Sequence, residues 1–373
     1  MNGTPEVWHA GPDQEPSASP RSSPWRAARM LLSLSLAAGL LVYVLPLAVG
    51  TTVKEVLRVL ELVTGPESVL LTLVWAAGLY VYSFTLTAAL PGLSRQRAMN
   101  LNLTGSAVAN VLPFGGAAGM SLNYLMIRSW GFGAAGFSSY TLVTNVWSIL
   151  MKLALPALAL AALILSGKPV SATVQWTALG AAAALAAAVV ALAAGLATRR
   201  AAVRVAVTTA PAVTRLCHLV RRPTTPAAVA EALLDFRDRV AAVIGHRWLQ
   251  LSVGSVGYGI LQALLLWACL RSVGAELSPV VVLAAYAVDR IMSMVVLTPG
   301  GAGFAEAGAA ATLVALGGAP AVMTAGVLLY RGFIFALEIP VGGVWLAGWL
   351  FLRRRTARVA QVSSEPAEAS VGA

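Results

Sequence analysis

Lys152, Asp289, Arg290, Glu306, Arg331 and Glu338 stand inside strongly apolar stretches of a 373-residue chain. Charge in such surroundings is informative, because hydrocarbon makes it expensive to keep. These three cations and three anions could neutralise one another and fix the packing of helices, or they could hold a charged ligand. Both readings stand, since burying ions is a poor route to stability where apolar packing would serve. Arg331 and Glu338 are seven apart, on one helix face but ~10 Å along the axis, too far to pair directly. Asp289 and Arg290 are neighbours pointing in different directions. Each therefore needs a partner from another segment, such as Asp289 with Arg331, or Arg290 with Glu338 or Glu306.

The second source of chemistry is a break in the apolar pattern at Thr298-Pro299-Gly300-Gly301-Ala302-Gly303-Phe304-Ala305-Glu306. Pro299 removes a backbone donor and the glycines loosen the path, so one helix must stop here and another start. At membrane depth such a break is tolerated only where protein buries it or where it lines a wet cavity. A similar break lies at Leu112-Pro113-Phe114-Gly115-Gly116-Ala117-Ala118-Gly119. Aligning the two Gly-Gly pairs also sets Gly133 against Gly318 and brings Pro156 within one position of Pro340, the mark of an internal repeat. Helix N-termini following each Gly-Gly would present free N–H groups, a natural anion site that a lipid phosphate fits.

The polar residues around the first break are neutral: Asn100, Asn102, Thr104, Asn110, Ser121, Asn123 and Asn145. Buried amides commonly bond helices together, and Asn110, just before Pro113, is the functional candidate among them. Tyr124, Tyr140, Tyr286 and Tyr330 could hydrogen-bond a headgroup or anchor the interface. The candidate binding set is therefore Asn110, Pro113, Gly115 and Gly116 from the first half. From the second it is Asp289, Arg290, Pro299, Gly300, Gly301, Gly303, Glu306, Tyr330, Arg331 and Glu338. No metal, cofactor or catalytic cluster is expected. Cys217 and Cys269 sit in unlike surroundings, and His9, His218 and His246 are scattered outside the apolar segments.

What must position these residues is a membrane bundle. A mean hydropathy of +0.78, with 58% hydrophobic and 11% charged residues, excludes a soluble domain. The formal charge of +11 comes from basic residues clustered beside apolar runs, the positive-inside pattern, so no nucleic-acid partner is expected. Residues 1–25 read as a disordered cytoplasmic tail, 26–353 as the transmembrane domain and 354–373 as a basic, then disordered, cytoplasmic tail.

Within the domain, 30–50 should enter from inside, and 51–64 should form an interfacial helix on the outer surface. Residues 68–90 should cross back. Residues 98–112 and 117–130 reach only ~22 Å each against a core of ~30 Å, so they read as arms of a re-entrant hairpin. Spans at 137–165 and 172–197 follow, with Pro156 as a kink. The basic cytoplasmic loop 199–247 contains an amphipathic helix capped by Thr225 and Pro226, and 248–270 goes out. Residues 280–297, at roughly 27 Å, and 304–316 form the second hairpin. Residues 321–352 then cross inward, with Pro340 as a kink. The fold class is all-α, a polytopic membrane helix bundle of two inverted repeats, each with a re-entrant broken helix, in the cell membrane with both termini cytoplasmic. No oligomeric state follows from the pattern.

Leu297-Thr298-Pro299-Gly300-Gly301-Ala302-Gly303-Phe304-Ala305-Glu306, with Gly317-Gly318 and Leu329-Tyr330-Arg331 beyond it, resembles the transmembrane region of lysylphosphatidylglycerol synthases and their stand-alone flippase-like relatives. Asn110 to Gly119 is similar to that family's first-half motif, and the likeness covers 30–352. It implies a bundle with re-entrant helices that moves a lipid headgroup between leaflets, with membrane lipids, anionic ones foremost, as partners. Two departures stand out. Met120 occupies a place where the family often has Glu, and the chain reaches Ala373 without an aminoacyl-transferase domain, so no enzyme activity is expected. Two alternatives remain open: an accessory or structural subunit of a lipid or cell-envelope pathway, and a membrane-embedded transferase.

Overall fold

Apolar runs punctuated by Gly and Pro produce helices throughout the described residues. The computed structural model describes residues 51–112, 115–167, 172–197, 199–219, 224–294 and 303–364, and among them there is no strand. The expected first span, 30–50, lies outside the described residues, as do Pro113, Pro299, Gly300 and Gly301. The helices are α1 (Val53–Leu60), α2 (Gly65–Ala89), α3 (Arg95–Val111), α4 (Gly115–Ser129), α5 (Ala134–Leu165) and α6 (Ala172–Ala197). They continue with α7 (Arg199–Leu219), α8 (Pro226–Ser272), α9 (Pro279–Met292), α10 (Phe304–Ala315), α11 (Pro320–Arg331) and α12 (Glu338–Ser364). A π-helical segment, Gly332–Leu337, joins the last two. Among the described residues four helical stretches are long and apolar enough to cross a membrane: Gly65–Ala89, Ala134–Leu165, Pro226–Ser272 and Pro320–Arg353.

The short helix α1 is amphipathic, as its sequence stripe requires. Its start is fixed by a capping box in which the Thr52 hydroxyl accepts from the Glu55 backbone and the Glu55 carboxylate accepts from the Thr52 N–H at 3.0 Å. It is more than a surface helix, because Val56 is buried against Val273 and Ala325.

Thr225 caps α8 as expected, its hydroxyl accepting from the Ala228 N–H at 3.3 Å, with Pro226 as the first helical residue. The amphipathic helix and the following span are, however, not separate. They form one 47-residue helix, ~70 Å long. Between Arg247 and Trp248 there is neither a proline nor a polar turn to stop propagation, so the basic segment is carried rigidly on a membrane helix. The polar stretch before it also folds, as α7, which runs through Pro211 and packs on α8.

Both hairpins form. In the first, α3 and α4 lie against each other; in the second, α9 and α10 do. At 14 residues, α9 is ~21 Å long, shorter than the arm expected over 280–297. The principal apolar core gathers Leu265 and Leu266 of α8, Val281 and Ala285 of α9, Ala309 and Leu313 of α10 and Val327 of α11. A second core joins Leu86, Leu101, Met126, Val143 and Leu251 around the first hairpin.

Small residues allow the closest crossings. A Cβ on Gly342 of α12 would run into the Leu103 carbonyl of α3, and one on Gly254 of α8 would meet Thr85 of α2 at 2.5 Å. Such approaches suit helices that gain little from the hydrophobic effect inside lipid.

Candidate functional site

The break before α10 ends on Gly303, whose φ of +92° is a conformation that a side chain would strain. The turn is held by Glu306, three residues on: its Oε2 accepts from the Gly303 N–H at 2.7 Å. The other carboxylate oxygen, Oε1, lies 2.5 Å from Arg331 Nε, with both side chains buried, 1% and 7% exposed. Glu306 therefore ties the start of α10 to the end of α11, and the partner of Arg331 is neither Asp289 nor Glu338.

The reason lies in the π segment. By inserting roughly one extra residue per turn it rotates everything downstream by ~100° relative to an α-helix. Arg331 and Glu338 consequently do not share a face. The irregularity ends just before Pro340, whose missing N–H would break the i→i−4 ladder at this place in any case. Glu338, 6% exposed, instead lies beside the Ser106 hydroxyl of α3 and the Trp75 indole of α2, whose Nε1 has no hydrogen-bond partner among the described residues.

Asp289 and Arg290 also depart from expectation, for they pair with each other. The Arg290 Nε and one terminal nitrogen both donate to Asp289 Oδ2, at 2.8 and 2.6 Å. Successive Cα–Cβ bonds on a helix diverge by ~100°, but the long arginine side chain curls back across that angle. Asp289 is 1% exposed and Arg290 retains 17%. Around this pair stand three tyrosines: Tyr286, whose ring centroid is 5.4 Å from the Arg290 guanidinium carbon, and Tyr258 and Tyr330, both in electrostatic range. Lys152 of α5 faces the same pair.

Several buried polar atoms in this region have no hydrogen-bond partner among the described residues: Asp289 Oδ1, Tyr330 OH and Gln262 Oε1. In native interiors such groups are few, and each calls for an explanation. The constellation thus draws on α2, α3, α5, α8, α9, α10, α11 and α12.

Of the residues expected at a site, the structure brings Asp289, Arg290, Glu306, Tyr330, Arg331 and Glu338 into this region, with Gly303 beneath Glu306. Gly116 and Gly115 fall elsewhere, at the start of α4. A Cβ on Gly115 would collide with the Ala109 backbone, so it is there for close approach, whereas a Cβ on Gly116 would meet open space. Gly116 borders a cavity of about 250 Å³ between α2, α3, α4 and α5. Asn110 does not line it; Asn102, Asn123 and Asn145 do. A second cavity, of about 710 Å³, is apolar and runs between α5, α8 and α9 past Leu155, Ile260, Leu264, Trp267 and Leu283. Lys152, which lies between Met151 and Leu155 in sequence, was visible as a buried charge, but its place beside Asp289 needed the packing of α5 on α9. Tyr258 and Gln262 carried no signal that separates them from the rest of α8. Among the described residues no three His, Cys, Asp or Glu side chains gather as metal ligands.

Neither a curated protein nor a solved structure matches the chain. A family model does: that of the lysylphosphatidylglycerol synthase TM region matches residues 30–342. Three of the four membrane-length stretches, the start of the fourth, the two hairpins and the charged constellation fall within that range, and the chain belongs to the lysylphosphatidylglycerol synthase transmembrane-region family as a multi-pass membrane protein.

Proposed function

We propose that this protein carries lipids with an anionic headgroup between the leaflets of the cell membrane, as a transporter and not an enzyme. One observation carries the reading. Lys152, Arg290 and Arg331 meet Asp289, Glu306 and Glu338 inside the bundle, yet Lys152 makes no ion pair among the described residues. An ammonium at membrane depth needs a counter-charge, and a lipid phosphate beside Arg290 supplies it. The apolar cavity along α5, α8 and α9 offers an acyl chain a path alongside.

The helix contacts support an arrangement in two inverted, re-entrant repeats. Helix α2 packs on α8, each preceding a hairpin; α3 of the first hairpin packs on α12, and α9 of the second packs on α5. Reciprocal contacts of this kind are what a pseudo-two-fold axis produces, and such folds bind at the repeat interface. With the basic α7 and α8 segments inside, both termini are cytoplasmic.

The test is translocation of labelled phosphatidylglycerol in proteoliposomes. The native protein should move it well above the rate of protein-free vesicles. Lys152→Gln and Arg290→Gln should each slow it by about tenfold or more, the equivalent of ~1.4 kcal/mol. Native vesicles no faster than empty ones would overturn the proposal.

A further inference from the structure

The cavity at the first hairpin differs in chemistry from the charged region. Its polar lining comes from Asn102 and Ser106 of α3, Asn123 of α4, and Tyr140, Thr141, Thr144 and Asn145 of α5, and none of the described residues that line it carries a formal charge. Tyr82, Phe137, Leu86, Leu101 and Met120 supply apolar wall beside them. At about 250 Å³ it lies just below the ~300–1,000 Å³ of sites for whole drug-sized ligands, the scale of a headgroup and not of a lipid.

The three amides do not serve as ties between helices. Asn145 donates to the Thr141 carbonyl of its own helix at 2.7 Å. Asn123 packs on Gly105, where an added Cβ would stand 2.9 Å from its amide nitrogen, and its Oδ1 is buried with no hydrogen-bond partner. Amides and hydroxyls each offer donors and acceptors together, and here they alternate with aromatic faces. A bare phosphate at membrane depth calls for a cation, which the described lining lacks, and an acyl chain calls for a dry apolar wall. A group with several hydroxyls matches what this wall presents. Ser106 also touches Glu338, so the cavity adjoins the charged constellation.

The geometry points to a separate, uncharged subsite that recognises the hydroxyls of a lipid headgroup, a sugar or a glycerol, and so selects among lipids. This inference rests on the lipid-carrier reading. Binding and transport separate the two. The protein is placed in phosphatidylcholine nanodiscs doped with phosphatidylglycerol, with glucosyl-diacylglycerol, or with phosphatidylethanol, which keeps the phosphodiester charge and lacks the hydroxyls. Its melting temperature is followed, and translocation of the same lipids is measured in vesicles.

Phosphatidylglycerol, the glucosyl lipid or both should stabilise the native protein at about tenfold lower content than phosphatidylethanol, each lost neutral hydrogen bond accounting for up to about tenfold. The lipid that shifts melting identifies glycerol or sugar as the source of the hydroxyls. Asn123→Leu and Asn145→Leu should erase the difference while leaving the response to phosphatidylethanol. Gly105→Ala, which displaces the Asn123 amide without removing it, should narrow the difference in a protein that keeps every polar group. Equal responses of the native protein to all three lipids would overturn the subsite. A hydroxyl-dependent shift without translocation of any lipid would uphold the subsite and overturn the carrier reading.

Discussion

Glu306 uses one carboxylate oxygen to close the turn at Gly303 and the other to neutralise Arg331. Its double duty makes the pair asymmetric. Arg331→Gln leaves a buried carboxylate that still caps a helix, whereas Glu306→Gln leaves a buried guanidinium and keeps an amide oxygen for the cap. Breaking a buried pair by removing one partner costs about 3–5 kcal/mol, so either single variant should melt well below the native protein in detergent. The double variant should recover most of that stability. Its transport then assigns the pair: recovery of lipid movement would make Arg331 structural, while a stable, inactive double variant would place Arg331 on the headgroup. Arg331→Lys should restore little in either case, because an ammonium lacks the guanidinium fork.

Helix crossings in this fold depend on where glycine falls. Gly342 of α12 meets the Leu103 carbonyl of α3 so closely that no methyl fits between them. Gly342→Ala should therefore destabilise the protein by about 1–3 kcal/mol, as overpacking of a tight core does. Gly343→Ala, whose Cβ would meet open space, should leave melting unchanged and serves as the control; equal melting of both variants would place the α3–α12 crossing elsewhere. The crossing matters for function because α12 also presents Glu338 to α3. The π segment sets that presentation, and π-helical turns recur where a side chain must be turned out of α register.

The bundle as a unit makes a prediction about sidedness. On the positive-inside reading the arginine-rich segments lie on one side of the membrane, and α8 carries its basic half into the span without interruption. A cysteine at Glu276, in the short turn between α8 and α9, should react with an impermeant thiol reagent added outside intact cells. The background would have Cys217 and Cys269 replaced. A cysteine at Arg237 should react only after permeabilisation. The reverse pattern would invert the topology.

Helix identity was legible in the amino-acid sequence because it depends on local terms. Apolar run lengths, Pro226 after Thr225, the Thr52 and Glu55 box and the Gly-rich breaks predicted α1, the helices on either side of each break and the start of α8, though α9 stops five residues short of its expected end. The six membrane-depth charges were legible for the same reason, since their cost depends on what surrounds them along the chain. Their partners were not. Pairing of Arg331 with Glu306 needed α10 laid against α11, and pairing of Asp289 with Arg290 needed a side chain to fold back across a helix face. The neutral cavity collected Asn102, Asn123 and Asn145 from three helices, while Asn110, nearer the break in sequence, stayed outside it. Local chemistry decides which residues are expensive in a membrane; only the tertiary structure decides which of them meet, because a helix presents its side chains in directions that depend on its rotation and its neighbours.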